Sequence, residues 1–89
     1  MQEIDIIITG KVQGVFYRQN AKQQAEWLKL AGYAENLSNG AVHIHIKGED
    51  EAVSQFVDWC RSGPVHALVE DVKVLSAQEK IDSDEFVIK

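Results

Sequence analysis

The run Asn39-Gly40-Ala41-Val42-His43-Ile44-His45-Ile46-Lys47 decides the fold. Val42, Ile44 and Ile46 alternate with His43, His45 and Lys47, the period of a strand with one face in a core and the other in water. Asn-Gly just ahead of it is the strongest short hairpin signal, because both residues tolerate the left-handed backbone of a tight turn. A strand must therefore enter the turn, and Tyr33 to Asn36 is the extended piece available. If Asn39-Gly40 is a two-residue turn, Asn36 stands opposite His43 and both side chains leave the same face of the sheet.

Upstream, Ile4 to Thr9 is β-branched, and Ile4, Ile6 and Ile8 fall on one strand face. Gln19 to Ala31 is rich in helix formers, with Ala21, Ala25 and Leu28 at helical spacing, and Gly32 reads as the stop signal. Downstream, Glu49-Asp50-Glu51 is an acidic opening that suits a helix N-terminus, and Val53, Phe56, Val57 and Cys60 form an amphipathic stripe. That helix runs to about Arg61 and breaks at Gly63-Pro64. Ala67 and Val69 then alternate, Val72 and Val74 resume on the other parity, and a bulge is expected near Glu70-Asp71. Phe86-Val87-Ile88 is a short last strand. The order is β-α-β-β-α-β plus a terminal strand. It predicts an α+β, ferredoxin-like βαββαβ sandwich: one antiparallel sheet, two helices on one face and a short C-terminal strand. At 89 residues the chain has room for a single domain, 1–89.

Nine Lys+Arg against fourteen Asp+Glu leave a net charge of −5, which disfavours a partner bound through a nucleic-acid backbone. The rival for this strand order, an RNA-binding module, stacks bases on sheet-face aromatics. The corresponding positions here, Asp5, Ile7, Thr9, His43, His45 and Lys47, include none. The lone Cys60 has no disulfide partner, the N-terminus lacks the features of a signal peptide, and no apolar run approaches the ~20 residues of a membrane span. The expectation is a cytoplasmic protein without a membrane partner.

Gly10-Lys11-Val12-Gln13-Gly14-Val15-Phe16-Tyr17-Arg18 joins the first strand to the first helix, where free amides and the helix dipole favour an anion. Two glycines let successive amides turn inward as a nest. Neither the Walker A nor the dinucleotide glycine pattern fits this stretch. Arg18 in the first helical turn opposes the macrodipole; either a bound anion compensates or the side chain turns out into solvent. Asn36 has two readings as well, a turn-associated Asn or a functional one.

At this stretch the sequence resembles a known family. Residues 10–18 match the acylphosphatase signature Gly-x-Val-Gln-Gly-Val-x-(Phe/Tyr)-Arg at every specified position. Gly32-Tyr33-Ala34-Glu35-Asn36 with Asn39-Gly40 is similar to the family's second block, as are Trp59-Cys60-Arg61-x-Gly63-Pro64 and Asp84 to Ile88 to later stretches. Tyr33 and Ala34 stand where Trp and Val are frequent, and neither change removes a chemical group. The resemblance implies hydrolysis of small acyl phosphates, with Arg18 as phosphate ligand and Asn36 as the residue that places the water. It further implies a phosphate cradle of amides from Val15, Phe16, Tyr17 and Arg18, no metal and no cofactor. The expected partner is a small-molecule acyl phosphate, and the expected state a monomer, though the residues do not themselves fix it. The alternative is a noncatalytic or carbamoyl-phosphate-binding domain of the same family.

The chemistry suits these residues. A carboxylate leaves without a general acid, and a loose phosphoryl transition state is stabilised mainly by positioned donors. Arg18 can grip two phosphoryl oxygens, and Asn36, though no base, can fix a water. With no base in view, the water's proton is expected to pass to the substrate's own phosphate. His43 is expected to line the site and modulate its pH response. His43 and His45 lack a third partner for zinc. Cys60 reads as a buried thiol, Trp27 and Trp59 as packing residues, and Lys11 and Lys22 either as solvated surface charges, the commoner outcome, or as charges that draw the anion.

Overall fold

A computed structural model describes residues 1–89. The elements are β1 (Gln2–Lys11), α1 (Tyr17–Trp27), β2 (Ala31–Asn36), β3 (Val42–Gly48), α2 (Asp50–Ser62), β4 (Leu68–Ser76) and β5 (Phe86–Ile88). They form one sheet in the order β4-β1-β3-β2-β5. All neighbours run antiparallel except β2 and β5, which are parallel, so the sheet is mixed rather than purely antiparallel. The parallel pair follows from the chain's route. After β4 at one edge it crosses the open face, where Ile81 donates its N–H to Glu3 and accepts from Lys47, and reaches the far edge.

The period-two pattern sorts the sheet residues as expected. Ile6, Ile8, Val42, Ile44 and Ile46 are buried beneath the helices, meeting Tyr17, Ala21 and Ala25 of α1 and Val53, Phe56 and Cys60 of α2. Two alanines on α1 let that helix lie close to the sheet. On β1 the pairing with β4 slips between Thr9, opposite Asp71, and Gly10, opposite Val69, which leaves Glu70 as the extra residue of the expected bulge. Gly10 has φ +123°, and a Cβ there would fall 2.1 Å from the Leu68 carbonyl oxygen, so only glycine lets β1 turn into the next loop at this point.

Helix α1 begins two residues before Gln19 and ends at Trp27, not Ala31. Its stop is Lys29, in the left-handed region at φ 60°. Lys29 N–H bonds to Glu26 O (3.1 Å) and Leu30 N–H to Ala25 O (2.8 Å), the paired bonds of a Schellman motif. Gly32 serves β2 instead, where a Cβ would meet the His45 carbonyl oxygen at 1.7 Å. Trp27, on the last helical turn and off the Ala21-Ala25 face, is 83% exposed and not a packing residue, whereas Trp59 packs its ring 5.3 Å from Tyr17 and 5.9 Å from Phe56.

The open face carries a chain of polar side chains. Glu3 Oε2 lies 2.7 Å from His45 Nε2, and His45 Nδ1 lies 2.9 Å from Asp5 Oδ1. The same Asp5 oxygen lies 2.8 Å from His43 Nε2, and His43 Nδ1 lies 2.7 Å from Glu35 Oε2. All four imidazole nitrogens are thus turned to carboxylates of β1 and β2. Burial pushes the Glu3 carboxyl up, but the bonds from His45 and from the Ile81 N–H outweigh it and hold it below the usual carboxylate range. A depressed carboxyl stabilises the fold above its unfolded value, about pH 4.3, and that contribution is lost as pH falls through the folded value. We expect urea midpoints to drop on acidification through this window, and to drop less in Glu3→Gln. Equal slopes for both proteins would contradict the assignment.

Candidate active site

The loop between β1 and α1 is built by alternating backbone hands. Gly14 has φ +76° and Phe16 φ 64°, ψ 25°, while Val15 and Tyr17 turn their side chains inward and are buried. This alternation makes a nest of converging amides. The N–H groups of Val15, Phe16, Tyr17 and Arg18 donate to no backbone acceptor, and the helix has no side-chain cap. Phe16, a bulky residue in the left-handed region, has its ring 66% exposed, and strain of ~1–2 kcal/mol is the usual cost of that conformation. Tyr17 anchors the nest from below: its hydroxyl donates to the Cys60 carbonyl at 2.7 Å.

The two helices differ at their ends. Helix α2 has Asp50 and Glu51 in its first turn and Arg61 in its last, both complementary to the dipole. Helix α1 has no acidic residue in its first turn and carries Arg18 there instead. Arg18 is not stretched away into solvent. Its Nη1 donates to the main-chain oxygen of Lys89, the last residue of the sequence, at 2.7 Å, which leaves the rest of the guanidinium fork available. Lys89 is itself placed twice, by its N–H on the Ala34 carbonyl (2.8 Å) and by its ammonium 3.7 Å above the Tyr33 ring.

Asn36 ends β2 and lies on the wall of the same cavity, of about 300 Å³, as Gly14, Phe16 and Arg18. It pairs with Val42, not with His43; Glu35 is the residue opposite His43. The turn is wider than a two-residue hairpin. Leu37 N–H bonds to Ala41 O at 2.8 Å, and Asn39 Oδ1 accepts the Ala41 N–H at 3.0 Å, so residues 37–41 form the connection. A shift of one residue exchanges the two faces of a strand. Asn36 therefore sits on the helix side with the nest, and His43 on the open side. The expectation that His43 lines the site is corrected accordingly.

Other expectations divide in the same way. Phe16, Tyr17, Arg18 and Asn36 line one cavity, while the Val15 side chain is buried in the core. Lys22 lies instead on a separate hollow of about 400 Å³ beside Glu26, Lys29, Asp84 and Glu85, which mixes both charges. Lys11 is an exposed residue at the end of β1. Cys60 is fully buried, and burial pushes its thiol up to about 12, which leaves no thiolate for nucleophilic work. Sequence reasoning missed Lys89 and Gln13. The Gln13 side chain reaches the 37–41 connection, where its Nε2 donates to the carbonyls of Leu37 and Ala41, both at 2.8 Å.

Fold and site together define a small ferredoxin-like α+β protein whose strand–loop–helix nest, with one arginine, can hold a tetrahedral anion. The acylphosphatase family model matches residues 4–88, so the chain belongs to the acylphosphatase family. An acylphosphatase of Hahella chejuensis is 47% identical over 72 residues, covering 81% of this chain and 77% of that protein. One of Syntrophus aciditrophicus is 36% identical over 88 residues, covering 99% and 92%. The crystal structure of acylphosphatase from Bacillus subtilis superimposes with a TM-score of 0.94 at 31% identity, covering 100% of this chain and 99% of that one. The protein is an acyl phosphate hydrolase.

Proposed function

We propose that the carboxyl–phosphate bond of a small acyl phosphate is broken by in-line attack of water on phosphorus, without metal or cofactor, by a cytoplasmic monomer of one domain. The amides of Val15, Phe16, Tyr17 and Arg18 and the Arg18 guanidinium hold the phosphoryl oxygens. Asn36 holds the water, its side-chain oxygen accepting one O–H and leaving a lone pair turned to phosphorus. As the bond loosens, charge on the equatorial oxygens meets donors already aimed at them. The carboxylate departs unprotonated, and the water's proton passes to a phosphate oxygen. The observation that carries this reading is the coincidence, on one cavity, of three consecutive residues, Phe16, Tyr17 and Arg18, whose amides have no backbone acceptor, a cation in a helix's first turn and a polar amide side chain.

The test is hydrolysis of acetyl phosphate in ¹⁸O-labelled water with excess chelator. Attack on phosphorus places the label in inorganic phosphate, and chelation leaves the rate unchanged. Label in the acetate, or a rate abolished by chelator and restored by a divalent cation, would refute the mechanism.

A further inference from the structure

Gln13 stands outside the roles assigned so far, yet it makes the only side-chain hydrogen bonds that join the anion loop to the connection following Asn36. Its Nε2 donates to Leu37 O and Ala41 O, each at 2.8 Å, across 24 and 28 residues of sequence. Both amide hydrogens are thereby used, one on each side of the connection's neck, where Leu37 N–H already bonds to Ala41 O. Leu37 is the residue immediately after Asn36. On the other side, Gln13 precedes Gly14, the first residue of the nest, and follows Val12, which is buried in the core at 1% exposure. The backbone that carries Gln13 is thus fixed by packing, and the backbone it grips is the one that carries Asn36.

We propose that Gln13 is a positioning residue for hydrolysis, which sets the distance and angle between the water on Asn36 and the phosphoryl group in the nest. The inference rests on the reading that Asn36 places the water. The physical need is specific. The nest and Arg18 belong to the β1–α1 loop, whereas Asn36 ends β2, a strand not adjacent to β1 in the sheet. The 37–41 connection is mostly exposed, and its tip, Ser38 to Gly40, has no burial to hold it. Without the Gln13 amide, the end of β2 is held by main-chain bonds to β3 and within the 37–41 connection, none of which ties it to the anion loop, and the water can drift from the line of attack. Misplacement of a reacting group by ~1 Å costs up to ~10²-fold in rate. The phosphate contacts do not pass through Leu37 or Ala41, so anion binding should be insensitive to the same loss.

Gln13→Met keeps length and volume but removes both donors, and Gln13→Glu keeps the shape and replaces donors by acceptors at neutral pH. With acetyl phosphate as substrate and inorganic phosphate as competitive inhibitor, both variants are expected to lose ~10–100-fold in kcat. In the neutral variant Gln13→Met, KM and the inhibition constant of phosphate should stay within about threefold of wild type, whereas the added charge of Gln13→Glu is expected to raise both. Placed on Asn36→Ala, either substitution should cost far less than on the wild type, because the residue it positions is gone. Thermal unfolding confirms that the variants compared are folded. Unchanged kcat in either folded variant overturns the proposal. A parallel loss of phosphate binding in Gln13→Met also overturns it, since Gln13 would then be shaping the nest. So does an undiminished loss in the Asn36→Ala background. Failure of the underlying reading is separately visible, as wild-type kcat in Asn36→Ala alone.

Discussion

Arg18→Gln lowers kcat/KM for acetyl phosphate by ~10³-fold or more and abolishes competitive inhibition by millimolar inorganic phosphate, while the protein remains folded. Loss of one well-placed donor to a transition-state oxyanion typically costs ~10²–10³ in rate, and a charged bidentate donor exceeds a neutral one. In the proposed mechanism Arg18 also grips the ground state, because the oxygens it would touch are charged before the bond breaks, so KM is expected to rise together with the fall in kcat. The fold should be little affected. Arg18 is half-buried, its single protein hydrogen bond goes to the main-chain oxygen of Lys89, and it opposes the dipole of its own helix. Removing it is expected to shift stability within about 1 kcal/mol. Arg18→Lys should restore only a minor part of the activity. A lysine ammonium is a point charge and cannot bond the Lys89 main-chain oxygen while presenting a planar pair of donors to two oxygens. Wild-type turnover in either folded variant would remove Arg18 from the site.

What can be read from the chain alone divides by the range of the forces involved. The alternation in Ile4–Thr9 and Val42–Lys47 and the stripe of α2 report apolar burial, the largest driving force for folding, and the helices and strands stand where those patterns place them. The bulge at Glu70 is legible because the apolar parity changes there. Local backbone chemistry misleads in two places. Lys29 takes the left-handed position that glycine usually takes, so the glycine signal puts the end of α1 too late. Asn39 uses its side chain to bond Ala41 N–H, which widens the turn and moves the register by one, and that residue of slip separates Asn36 from His43. The nest is legible from the glycine spacing and the position of Arg18. Gln13 and Lys89 are not, because their partners are backbone carbonyls and a guanidinium distant in sequence, and no periodicity reports such contacts.

Asn36→Ala should show a different kinetic signature from Arg18→Gln, and the contrast is what separates their roles. The expected result is a fall in kcat of ~10²–10³-fold with KM and phosphate inhibition close to wild type. In the proposed mechanism a water held in line contributes nothing to the affinity of the substrate's ground state, since there the nest and the guanidinium hold the anion. Its contribution arises only when the new oxygen–phosphorus bond forms, so its removal falls on kcat. Asn36 is exposed at the end of β2, and its ladder bonds to β3 are made by backbone, so Ala is accommodated without a cavity or an orphaned buried group. Asn36→Asp gives the sharper control. Asp has the same shape, with an oxygen in place of the amide nitrogen, and it could still accept a water's hydrogen. Its negative charge beside the phosphoryl oxygens should nonetheless weaken substrate and phosphate binding, an effect Ala lacks. If Ala raises KM as strongly as it lowers kcat, Asn36 is a phosphate ligand, and the water must be placed by another group on the cavity wall.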